Sequence, residues 1–310
     1  MRRALFLVFV ACNAGRHREA PNTGSATNAG SASIADADAA YAAHDFARCA
    51  ALYAEVAATS KRPQLALYNE ACCEARAGSA DAAFASIDRA VTAGWRDTKQ
   101  LGSDDDLASL HADPRWAAVI AKANAAETTY DQSLKAPEVR TQLLAMVDVD
   151  QAQRFAWIDA DKRNAGSAEQ APLLAAMMDG DKQRTSALHA IVDKLGWPSK
   201  SQVGDDGAHA AWLLVQHADQ DPDFAKRALG LMEPLVKTGE VDARDYAYLY
   251  DRVAVHDDRP QRYGTQFKDG YPNPIEDEAH VDERRAAIGL GTMAAYKQEM
   301  RAMYGSAGAR

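Results

Sequence analysis

Along most of the chain, apolar positions recur at helical spacing. Cys49, Tyr53 and Val56 stand at relative positions 0, 4 and 7, and Ala83, Ile87 and Ala90 repeat that spacing 34 residues later. Each set makes one face of a helix. His44-Asp45 and Gly78-Ser79 fall inside two expected helical hairpins, and Pro63 falls between them. Further on, a helix is expected from Pro137 to about Asp161, with Val139, Leu143, Met146 and Val147 on one face. Another is expected from Pro172 to Leu195, carrying Leu173, Leu174, Met177, Leu188, Ile191 and Val192. Ala208 to Ala218 is apolar nearly all round and reads as a buried central helix. Asp221-Pro222 opens a helix that Glu233-Pro234 kinks and Gly239 ends. Asp242 caps one whose Tyr246, Leu249, Tyr250 and Val253 share a face. Residues 260–276, rich in Pro, Gly and aromatics, read as an ordered loop or small hairpin turning near Asp269-Gly270. A final helix is expected from about Val281 to Tyr304. The expected fold class is all-α: a short helical repeat region, then a second helical domain with a small loop or hairpin insertion.

The first residues follow another pattern. Met1-Arg2-Arg3 is a basic start, and Ala4 to Ala11 is an unbroken apolar run ending at Cys12. Eight apolar residues suit a signal-peptide core and are far too few to span a bilayer. Phe9-Val10-Ala11-Cys12 resembles the lipobox of bacterial lipoproteins, with Phe9 where that family usually has Leu. The resemblance implies that Cys12 becomes the lipid-bearing first residue of the mature chain. The alternative is a leader cut by ordinary signal peptidase, which releases a periplasmic protein. Residues 13–33 carry almost no apolar bulk and read as a flexible tether, with a reach of roughly 25 Å.

Two further resemblances divide the rest. A 34-residue period of helix pairs is the tetratricopeptide signature. LYNEACCEARAGSADAAFASIDRAVTAGWRD and DDDLASLHADPRWAAVI, within Leu67 to Ile120, resemble the closing segment of tetratricopeptide arrays. In that segment Gly94-Trp95 ends a helix, Asp105 or Asp106 caps a short one, and Pro114 opens a last one. Trp116 is expected to cover the end of the small solenoid. Such repeats imply a concave surface for a protein or peptide. The later half resembles a bacterial domain of unknown function, through GWP (Gly196 to Pro198), WLLVQHAD (Trp212 to Asp219) and YLYDRV (Tyr248 to Val253). QRYGTQ (Gln261 to Gln266), PIED (Pro274 to Asp277) and VDERRAAIGL (Val281 to Leu290) complete the match. The expected organisation is leader 1–12, tether 13–33, repeats 34–126 and helical domain 127–310.

Charge narrows the partners. With 44 acidic against 35 basic residues, net charge is -9, and no Lys/Arg stripe is present. This excludes the usual nucleic-acid binder and leaves a lipid anchor as the one expected contact with membrane. In an oxidising compartment, Cys49 and Cys72 lie on helices expected to pack together, so a disulfide between them competes with reduced packing roles. Adjacent Cys72 and Cys73 point about 100° apart and do not pair with each other. No His stands in ligand spacing near them, so zinc is not expected.

The candidate chemistry lies in the second domain. Gln216, His217 and Asp219 end its most apolar helix; Asp251 and Arg252 sit mid-helix; Gln261, Tyr263, Thr265 and Gln266 stud the loop. Asp282, Arg284 and Arg285 open the last helix. His217 with Asp251 or Asp219 would make an acid–base pair. Arg252 and Arg285 would hold a carboxylate or phosphate. His217 is expected to touch the Gln261–Gln266 loop. The alternative is that these groups satisfy the fold, with His217 bonding loop backbone and Asp282 capping its own helix. There is no Gly-rich phosphate loop, HExxH, CxxC or Gly-x-Ser-x-Gly elbow, so no cofactor, metal or reaction is assigned. The expectation is an exported, envelope-anchored binding protein. A small hydrolase or ligand-binding domain centred on His217 and the 261–266 loop is the rival.

Overall fold

The computed structural model describes residues 32–268 and 270–304, and the leader and Cys12 lie outside them. The chain is all-α and divides between Ser133 and Leu134 into two compact units. Among the described residues, no helix is long and apolar enough to cross a membrane.

The first unit begins with two helical hairpins, α1 (Ile34–Ala42) with α2 (Phe46–Thr59) and α3 (Gln64–Arg76) with α4 (Ala80–Thr92). Ser33 and Asp36 close a capping box on α1, and Asp45 caps α2 at the amide of Arg48. The small faces read from the sequence are the packed ones: Cys49, Ala83, Ile87 and Ala90 are fully buried. Tyr68 stacks on Trp95 with ring centroids 4.0 Å apart. After α5 (Thr98–Ser103), a 3-10 turn at Asp105–Leu110 buries Leu107 and Leu110 in the α3–α4 core. Asp104 at its start accepts from the Tyr68 hydroxyl, and Asp106 from the Tyr41 hydroxyl at 2.6 Å. This acidic turn therefore covers the α3 face and reaches α1. α6 (Trp116–Ser133) starts two residues after Pro114 and runs unbroken past residue 126. Trp116 packs, partly buried, against the α3–α4 core.

The disulfide joins Cys49 to Cys73, not to Cys72. Both bonded residues lie in the small α1–α2–α3 core with Ala37 and Ala66. Cys72, about 100° round the helix, faces Asp104 instead.

The second unit starts with Pro137 at the first turn of α7 (Pro137–Lys162), which is followed by α8 (Ser167–Leu195) and α9 (Lys200–Gln216). α8 begins five residues before the expected Pro172, which sits in the second turn without breaking it. α9 also begins earlier than expected: a first turn is joined to the buried AAWLLV stretch across Gly204, at φ 78°. α10 (Pro222–Lys237) is capped by Asp221 and continues through Pro234, and α11 (Ala243–His256) is capped by Asp242. A two-stranded hairpin follows, with Phe267 opposite Pro272 and Lys268 opposite Tyr271; Asp269, expected in its turn, lies outside the described residues. The expected last helix is two, α12 (Val281–Ala287) and α13 (Met293–Tyr304). The break falls at Gly289-Leu290-Gly291, where the Leu290 amide turns back to the Arg285 carbonyl. Asp282 accepts from the Met293 amide at 2.6 Å, so it caps the start of α13 and not its own helix.

Candidate functional site

The loop after α11 is built around one carboxylate. Asp251, fully buried mid-helix, accepts from the amides of Arg262 (2.7 Å), Tyr263 (3.0 Å) and Thr265 (2.9 Å). It also accepts from the Thr265 hydroxyl at 2.9 Å. Burial raises the proton affinity of this carboxyl, and the four donors oppose that rise. The Gln261 side chain mimics a strand: its Oε1 accepts from the Gln266 amide, and its Nε2 donates to the backbone carbonyls of Gln266 and Asn273. Arg285 donates to the carbonyls of Tyr263 and Gly291, and Arg284 to those of Arg262 and Glu276. Gly264 sits at φ 70°, and a Cβ there would lie 2.6 Å from the Met293 sulfur. Asp251, Gln261, Thr265, Gln266 and Arg285 thus bind their own chain.

His217 is elsewhere. It caps the end of α9, and its Nδ1 lies 2.9 Å from Asp150 Oδ2 on α7. Its described partners are Asp150 and Arg154, so the expected pairing with Asp251, Asp219 or the loop is corrected. Arg154 Nε stands 3.0 Å from the same Nδ1 and 3.2 Å from Asp150. Nδ1 cannot both accept from Arg154 and donate to Asp150. A proton on Nδ1 serves the carboxylate, while Arg154 keeps Asp150 and, at 2.6 Å, Asp181. Arg184 completes the group, reaching Asp181 at 2.9 Å, Asp150 at 3.2 Å and Gln153 at 2.8 Å. Burial is the largest effect on His217 and lowers its proton affinity, so the ring is neutral near neutral pH. Burial pushes the Asp150 carboxyl up, but His217 and Arg154 outweigh it and hold it well below the carboxylate range.

Arg252 extends the centre from α11. Its Nε donates to Gln216 Oε1 at 2.8 Å and its Nη1 to Asp219 at 2.6 Å. Its charge lowers the proton affinity of His217. Three arginines (154, 184, 252) thus face three aspartates (150, 181, 219) around one imidazole. The imidazole Nε2 has no hydrogen-bond partner among the described residues. This is the arrangement that orients a histidine as a general base or as a hydrogen-bonding arm.

Four of these residues escape a reading by motif. Asp150 and Arg154 on α7, and Asp181 and Arg184 on α8, look like solvated helix charges. Yet Asp150 lies seven residues after Leu143, and Asp181 four after Met177, on the stripes that enter the core. Charges of both signs at stripe positions were the available signal.

In the first unit, Cys72 Sγ and carboxylate oxygens of Asp104 and Asp106 lie within 4.8 Å of one another. Burial pushes the Cys72 thiol up, and Tyr68 and Tyr41 already donate to the two carboxylates. A protonated thiol is a poor metal ligand.

No curated protein and no solved structure matches the chain. A family of unknown function, DUF6624, matches residues 137–307, which covers α7 to α13 and every residue of the Asp251 latch and the His217 centre. That is more than half of the 310 residues, and the chain belongs to this family.

Proposed function

We propose that the chain is an exported, envelope-anchored binding protein whose tetratricopeptide-like first unit docks a protein or peptide partner, with no reaction assigned. The observation that carries this is the pair of helical hairpins whose second helices begin 34 residues apart, at Phe46 and Ala80. The Cys49–Cys73 disulfide supports export, because such bonds persist in oxidising compartments. The lipobox-like end at Cys12 supports a lipid anchor, and a periplasmic chain is the outcome if only the leader is cut. The acidic 3-10 turn already covers the α3 face, so the partner's surface falls to the exposed positions of α1, α2 and α4. Photo-reactive residues placed at the exposed Ala39, Ala51 and Ala85 in native cells test this. A discrete protein adduct is expected from one or more of them, and none from the exposed Ala152 of the second unit. Adducts from Ala152 alone, or from no position, would overturn the assignment of docking to the hairpins.

A further inference from the structure

We infer that the polar centre of the second unit binds a small oxyanion, a carboxylate or a phosphate, between Gln216, Arg252 and His217, and takes a proton onto His217 as it does so. The inference is independent of what the first unit docks.

The first ground is Gln216. The residue is 2% exposed, and its Nε2 has no hydrogen-bond partner among the described residues. Turning the amide over would not help, since the Arg252 Nε donor would then meet the amide donor at 2.8 Å in place of its acceptor. Two N–H groups are therefore held beside a guanidinium with no acceptor, which costs free energy unless a ligand supplies one.

Arg252 is the second ground. It uses Nε on Gln216 and Nη1 on Asp219, and its Nη2 has no partner among the described residues. Its side chain and that of His217 each keep 11% exposure, so neither is sealed from solvent. Donors without acceptors, next to a guanidinium, are what a carboxylate or phosphate oxygen accepts from.

Charge gives the third ground. Asp150 and Arg154 face His217 from α7, Asp181 acts on it from α8, and Arg252 from α11. With Asp219 and Arg184 the arginines and aspartates cancel, so a neutral His217 leaves the centre uncharged. One proton on Nε2 turns that nitrogen into a donor and gives the centre one positive charge. An oxyanion then neutralises it. Binding and protonation support each other, so between the free and bound pKa values of His217 affinity falls about tenfold per unit rise in pH.

Calorimetry on the full chain decides the matter, with inorganic phosphate in one arm and succinate in the other. Runs in two buffers of different ionisation enthalpy count the protons. Saturable binding of either probe, one proton taken up, and a downfield-titrating His217 ring in the bound form are expected. The arm that binds names the oxyanion. His217→Asn keeps an amide donor for Asp150 and lacks the ε nitrogen, so it should lose the proton uptake and at least tenfold in affinity. Gln216→Glu keeps an acceptor for Arg252 and puts an oxygen where the free N–H groups stand, so binding should vanish. No saturable binding of either probe up to roughly 50 mM, binding without proton uptake, or unchanged affinity in Gln216→Glu would each overturn the inference. If Gln216→Glu fails to fold, the His217→Asn result and the His217 ring shifts of the parent decide it alone.

Discussion

Asp251→Ala tests whether the loop after α11 is a structural latch. The substitution removes one carboxylate and leaves four donors. The Arg262 and Tyr263 amides belong to residues that keep contact with solvent, so they turn to water when the loop loosens. The Thr265 amide and hydroxyl do not, because Thr265 is 2% exposed. Two buried donors without an acceptor cost about 1–3 kcal/mol each. Relief of the buried carboxylate returns part of that, because burial works against the charged form. The expected net loss is about 3 kcal/mol, with Asp251→Asn losing about half as much because one acceptor oxygen remains. Urea unfolding followed by tryptophan fluorescence reads the loss. Amide exchange at Arg262, Tyr263 and Thr265 should lose protection together. A midpoint matching the parent's, or protected amides at all three positions, would refute the latch.

The remaining predictions concern the disulfide, the hairpin contact and acid. Opening the Cys49–Cys73 bond, which spans 24 residues, should cost the first unit about 3 kcal/mol; a reductant-insensitive melt would contradict this. Ala83→Leu adds bulk at a fully buried α4 position and should cost about 1–3 kcal/mol, so a parental melt would remove support for the packed hairpin. His217 loses proton affinity on folding, chiefly through burial, so the unfolded chain takes up its proton first. The stability that depends on its neutral form is complete above about pH 6.5 and is lost as pH falls below it. The unfolding midpoint should therefore drop as pH falls below about 6.5, and His217→Asn should flatten that drop.

Period and capping made the helices legible. Asp221 and Asp242 read as helix caps and do cap α10 and α11, and the 34-residue offset is kept by α2 and α4. Helix boundaries are less legible than the helices themselves. Pro172 sits inside α8 and does not start it, and the Gly289–Gly291 break interrupts a pattern that reads as one continuous helix. The polar residues are more legible in the sequence than their partners. His217 and Asp251 are both buried or nearly so, but pairing depends on which helices pack. α7 packs on α9 and brings Asp150 to His217, while the loop returns to α11 and brings three amides to Asp251. Cys72 and Cys73 show the same limit: one residue of rotation decides which thiol meets Cys49, and only the packed helices fix it.

The most direct test of an exported, envelope-held binding protein is the mass of the protein purified from native cells, taken before and after reduction and alkylation. The account predicts a chain that starts at Cys12 with lipid attached, one disulfide between Cys49 and Cys73, and a free thiol at Cys72. A chain that keeps Met1 and reacts at Cys49, Cys72 and Cys73 without reductant would contradict it.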